Sequence, residues 1–264
     1  MNSAVKALIK KDLRAVTDDR RMFSALLILP LIMTVLLPAV FVLIICLGSD
    51  SGDVRELLEL LPSAVSGEDI RPAALNIALN YIIPAFFLMI PIMTSSVTAA
   101  GSFVGEKEKH TLETLLYCPL SLSSIFRAKV AASFFLSMLI SFISFAVMIV
   151  TVWGLSAALA GFSPVLSFNW AVIMLLLSPA LSLIAVTLIV RVSAKAVSVE
   201  ESQQRAVFMI LPLILIIAGQ FAGIMLLDTA VLLAAGAVCA ALAWILLKSA
   251  VRKFTYETLL RRQS

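Results

Sequence analysis

The residues best suited to chemistry in this chain crowd into one short stretch. Glu106, Lys107, Glu108, Lys109, His110, Thr111 and Glu113 fall within eight positions. His110 is the sole histidine among 264 residues. A single loop imidazole is usually solvated, so no Ser–His pair and no H-E-x-x-H zinc site can form. The three cysteines, Cys46, Cys118 and Cys239, follow neither a zinc spacing nor a disulfide framework. No G-x-x-x-x-G-K-[ST] phosphate loop occurs, so any ATP used must be bound by another chain. Catalytic residues and metal ligands are therefore expected to be absent, and the chain reads as a non-enzyme.

The stretch does have a shape. Thr111 is an N-cap type residue ahead of a short helix predicted over Leu112 to Cys118. Pro119 ends that helix, because the residue before proline disfavours the helical region. Ser121 caps the next helix. Leu112, Leu115 and Leu116 give the short helix an apolar side that a partner domain can grip. A loop that merely connects two segments needs no such device.

Other polar residues lie inside apolar runs. Asn76 and Asn80 are one turn apart and either line a cavity or serve structural hydrogen bonding. Ser133, Ser137, Ser141 and Ser144 make a small polar stripe, and Gly219 and Gly223 form G-x-x-x-G. Such positions let helices approach closely, inside one chain or across a dimer interface. Pro30, Pro38, Pro84, Pro91, Pro179 and Pro212 interrupt the apolar runs. Breaks of this kind survive where protein or a cavity satisfies the freed backbone.

The elements that must position these residues follow from composition. Hydrophobic residues are 61% and charged residues 14%, against about half and a quarter in soluble domains. Mean hydropathy is +1.08. About 20 apolar residues cross a bilayer as a helix, and six runs qualify: 23–47, 73–100, 130–159, 170–190, 206–227 and 229–247. The first is too long for a cleaved signal core. The expected fold is an all-α membrane protein of six transmembrane helices with both termini cytoplasmic. Eighteen of the 20 Lys and Arg fall in the segments this topology puts inside, and only Arg55 and Arg71 fall outside, which is the positive-inside pattern. The net charge of +4 is thus assigned to the membrane surface and not to nucleic acid.

Residues 1–22 form an inner segment whose Val5, Leu8, Ile9, Leu13 and Val16 share one helical face, opposite Lys10, Lys11 and Arg14. This reads as an amphipathic interfacial helix, with Asp12 an intruder near its apolar edge. Residues 48–72 form an acidic outer loop, 101–129 the inner loop with the short helix, and 248–264 an inner tail. The spans carry no internal charge of the kind that marks ion or proton coupling.

The run Glu106-Lys107-Glu108-Lys109-His110-Thr111-Leu112-Glu113-Thr114-Leu115-Leu116-Tyr117-Cys118-Pro119-Leu120-Ser121 resembles the E-[KR]-E-[KR]-G-T-L-E-x-L-L-x-x-P-[LV]-S signature of ABC-2 type permeases, the membrane subunits of ABC exporters. His110 stands where glycine is usual. A second stretch, Ser193 to Gln204, is similar to the S-x-[KR]-x-x-[ST]-x-x-E-[AS]-Q-Q pattern of sodium-exporter-like members, through Ser193, Lys195, Glu200, Gln203 and Gln204, with Glu201 inserted. The N-terminal helix is similar to the family's connecting helix.

The resemblance implies a permease in the plasma (cytoplasmic) membrane. It pairs with a second permease subunit, as a homo- or heterodimer, and with a cytoplasmic ABC ATPase subunit. ATP and Mg would be bound in that ATPase and no cofactor in this chain. The coupling residues it implies are Glu106, Lys107, Glu108, Thr111, Leu112, Glu113, Leu115, Leu116, Pro119, Leu120 and Ser121. The alternatives are an ATPase-independent transporter or channel, and a membrane anchor or immunity protein.

Overall fold

Charge-free apolar runs leave the backbone one way to satisfy itself in lipid, the helix. The computed structural model describes residues 3–18, 20–47, 70–108, 121–159, 165–193 and 229–253, and nearly all of these are helical. Helix α1 is Ser3–Asp18. The first rod is α2 (Arg20–Leu31), a π-turn (Ile32–Leu36) and α3 (Leu37–Leu47). The second is α4 (Ile70–Ile77), a π-turn (Ala78–Ile82), α5 (Ile83–Phe87) and α6 (Met89–Glu108). The third is the unbroken α7 (Leu122–Leu159). The fourth is α8 (Asn169–Val172), a π-turn (Ile173–Leu177) and α9 (Ser178–Ser193). The last is α10 (Thr229–Lys253). All five rods are long and apolar enough to cross a membrane.

The prolines explain the breaks. Each π-turn ends two residues before a proline: Leu36 before Pro38, Ile82 before Pro84, Leu177 before Pro179. A proline ring lacks the N–H and collides with the carbonyl four residues back. A locally wider turn relieves the collision and keeps the backbone bonded. Pro91 acts differently: the ladder lapses at Leu88, between α5 and α6. There Ser137 Oγ of α7 donates to Pro91 O at 3.0 Å.

All five rods run further than their apolar stretches, the first beginning at Arg20 and not at 23. The second continues past 100 to Glu108, the third begins at Leu122 and not at 130, the fourth ends at Ser193, and the last ends at Lys253. Hydropathy marks where a helix enters hydrocarbon. Glu, Lys and Arg are good helix formers, so the helices continue into the polar zone. The expected span 206–227, with Gly219 and Gly223, lies outside the described residues. So do the short helix 112–118 and most of the acidic loop.

The core gathers where the second, third and fourth rods meet. Phe87 meets Phe145 and Trp170 edge-on there, and the three ring centroids lie 5.1–5.9 Å apart. Ser133, Ser137, Ser141 and Ser144 all turn inward and are buried within the chain's own bundle. Ser137 Oγ lies 3.0 Å from Thr94 Oγ1 of α6. Lipid tails are as apolar as leucine, so close packing of small residues and hydrogen bonds hold such rods together.

Candidate functional site

At one end of the bundle α1 lies across the third rod, with Leu8 packed on Ile125 and Ala128. That register turns Asp12 inward. Lys129, two turns into α7, points at it from below and is only 2% exposed. An ammonium group has three donors to place. Lys129 Nζ donates to Ser102 O at 2.7 Å and lies 3.2 Å from Ser102 Oγ. It stands 2.8 Å from Glu106 Oε2 and 3.6 Å from Asp12 Oδ2. Ser102 Oγ donates to Asp12 Oδ2 at 3.1 Å, and Lys11 Nζ donates to Glu106 Oε1 at 2.8 Å. The Phe103 ring covers the ammonium, its centroid 5.5 Å away, a favourable cation–π placement.

Three helices are therefore joined by one ionic knot: α1 through Lys11 and Asp12, α6 through Ser102 and Glu106, α7 through Lys129. Buried charges persist only when paired and hydrogen-bonded, and each member here has at least one partner. Burial raises the Asp12 carboxyl above the ordinary aspartate value. The Lys129 charge opposes that shift, the Glu106 charge adds to it, and the Ser102 hydrogen bond and Lys11 oppose it.

The knot sits at the root of the charged stretch. Glu106, the first residue of that stretch, is 9% exposed and faces inward, into the knot. The backbone of Lys107 and Glu108 completes α6. Thr111, Leu112, Glu113, Leu115, Leu116, Pro119 and Leu120 lie outside the described residues. Ser121 closes the segment as expected: its Oγ accepts from Ser124 N at 3.3 Å and its carbonyl accepts from Ser124 N and Ile125 N, at 2.8 and 3.1 Å. That is an N-cap on α7. The twelve residues 109–120 thus leave from and return to two helices held by the same buried lysine.

The family model described as ABC-2 type transporter matches residues 3–221, from the start of α1 to within the fifth expected span. The chain belongs to the ABC-2 type transporter family. A comparison with curated proteins gives no match. The chain is accordingly a multi-pass membrane protein and a permease component of an ABC transporter.

The far end of this ABC-2 bundle carries a second set of polar ties. Asn80 Nδ2 donates to Val165 O at 3.0 Å and to Asn76 O at 2.9 Å, while Asn80 Oδ1 accepts from Ser167 N at 2.8 Å. Asn76 Oδ1 accepts from Val165 N at 3.1 Å. Both asparagine amides thus make hydrogen bonds to the backbone of residues 165–167. Trp170 Nε1 donates to Leu79 O at 3.2 Å, and Thr229 Oγ1 donates to Asn169 Oδ1 at 2.7 Å. Ser193 ends α9; Lys195, Glu200, Gln203 and Gln204 lie outside the described residues.

Asp12, Ser102, Lys129 and Asn169 were not legible as site residues. Asp12 carried one signal, its intrusion near the apolar edge of an amphipathic helix. Lys129 carried none, since a lysine at the edge of an apolar run is usually an interfacial anchor.

Proposed function

We propose that this permease is the membrane subunit of an ABC exporter, driven by a separate ATPase that grips the segment Glu106–Ser121. The observation that carries the reading is the knot: the helices on both sides of that segment are tied to each other and to α1 through Lys129. A push on the segment is then delivered to α1 and to the second and third rods together. ATP favours one arrangement of the ATPase, and a rigid contact biases a two-state membrane part accordingly.

Six crossings, with both termini on the side of α1, are part of this reading. The fourth rod and α10 start together, at Asn169 and Thr229, and descend together, with Arg191 Nη2 donating to Leu246 O at 3.3 Å. Two neighbouring rods running in the same direction need a return crossing between them. A second permease subunit completes the pathway, and the Ser193–Gln204 resemblance supports a place near the sodium-exporter-like members.

The test is a pull-down of the tagged chain from native membranes in mild detergent, read by mass spectrometry. A stoichiometric phosphate-loop ATPase should come with it and be lost on Leu116→Asp. A chain that comes down alone after crosslinking belongs with the channels or membrane anchors instead.

A further inference from the structure

Beside the knot, on the outside of the bundle, a groove of about 590 Å³ runs between α7, α9 and α10. Its two long walls are antiparallel yet carry the same polarity. On α7, Arg127 is followed by Ala131, Phe134 and Phe135, leading away from the α1 end. On α10, Trp244 is followed one turn later by Lys248, leading toward that end. Both cations therefore lie at the α1 end and both aromatic groups lie deeper. Helical rise puts Trp244 about 6 Å and Phe135 about 12 Å from its own wall's cation.

Arg127 and Lys248 are exposed, and neither forms an ion pair among the described residues. No carboxylate is among the described residues that line the groove. The Arg191 hydrogen bond to Leu246 O ties α10 to α9, whose Leu183 lines the groove.

We infer that this groove binds an anionic membrane phospholipid, its phosphate between Arg127 and Lys248 and an acyl chain along Phe135 and Trp244. Charge complementarity selects the occupant. Two cations that have no ion-pair partner among the described residues, at one end of an otherwise apolar trough, match an amphiphile with one anionic end. Basic pockets between membrane helices hold anionic head groups in this way. The inference goes beyond ATPase coupling and does not depend on it.

The experiment is native mass spectrometry of the intact purified chain, given equal amounts of phosphatidylglycerol and phosphatidylcholine. Phosphatidylglycerol should be retained preferentially. Each basic residue near an anionic lipid surface is worth about fivefold in partitioning. Arg127→Gln/Lys248→Gln should therefore reduce that retention by about 25-fold, to the level of phosphatidylcholine. Lys10→Gln/Arg14→Gln, which removes the same charge from exposed positions of α1, should leave it unchanged. Ala131→Trp, which fills the trough and keeps both cations, should also abolish retention.

Equal retention by wild type and Arg127→Gln/Lys248→Gln would overturn the proposal, as would an equal loss in the α1 control. Full displacement by soluble glycerol 3-phosphate would reduce the groove to a bare anion site, and a dimer lost on Ala131→Trp with lipid retention intact would assign it to a second copy; either result refutes the lipid assignment.

Discussion

Lys129 is a cation inside a helix bundle, and its surroundings say what its loss would do. Lys129→Met would leave Glu106 and Asp12 buried beside each other without their shared counter-ion. Removing one partner of a buried ion pair costs about 3–5 kcal/mol. Lys129→Met should therefore melt well below the wild type in detergent, and a further Glu106→Gln/Asp12→Asn change should recover much of the loss. Asp12 gives a pH signature. Its folded-state pKa is raised, so between the unfolded and folded values the native chain holds more protons than the unfolded one. Stability from this group is then greatest below the unfolded value and falls as pH rises through the folded one. Melting temperature against pH, from about 3.9 upward, should show the wild type losing ground to Asp12→Asn. Parallel curves for the two would sink the linkage.

At the scale of elements, the π-turn of the fourth rod is a place where two rods meet closely. A Cβ built on Gly236 of α10 would lie 2.5 Å from Leu176 Cδ2 and 2.8 Å from Leu177 Cδ1, in the π-turn of the fourth rod. Gly236→Val should thus destabilise by about 1–3 kcal/mol through overpacking. Gly154→Ala in α7, where a Cβ meets nothing within 4 Å, should be neutral or better, since alanine outranks glycine in helices by about 1 kcal/mol. The far-end ties are likewise an element-scale matter. Asn80→Ala would remove the part-buried hydrogen bonds to Val165 O and Ser167 N, at about 0.5–1.5 kcal/mol each. Hydrogen exchange in residues 165–170 should speed up in Asn80→Ala while the α1 end stays protected. Uniform exchange across the chain would contradict a local clasp.

For the whole molecule, the two ends divide the work. The α1 end gathers the charged segment, the knot and the basic groove, and the far end is fastened by amides and a threonine. Glu113→Ala and Lys129→Met should then both lower transport per ATP hydrolysed, and only Lys129→Met should also lower the melting temperature. Transport per ATP left at the wild-type ratio in Glu113→Ala and in Leu116→Asp would remove residues 106–121 from the coupling role.

Much of this chain is settled by one-dimensional facts. Apolar runs without charge must become helices in lipid, so the five described crossings are legible from length and hydropathy alone. The N-cap at Ser121 follows from residue type next to Pro119. The T-L-E-x-L-L-x-x-P-L-S core marks the family without any coordinates. Tertiary structure decided what depends on which faces meet. Asp12 looked like a flaw in α1 because amphipathicity measures one helix at a time, while its partners lie about 90 and 117 positions away. Lys129 gave no signal because hydropathy cannot tell a side chain that snorkels to water from one that finds a carboxylate inside. The motif placed Glu106 with the coupling residues, and the end of α6 turns its carboxylate into the knot. Ion pairing between distant segments has no period and no local propensity, so only the packed bundle could bring these groups together.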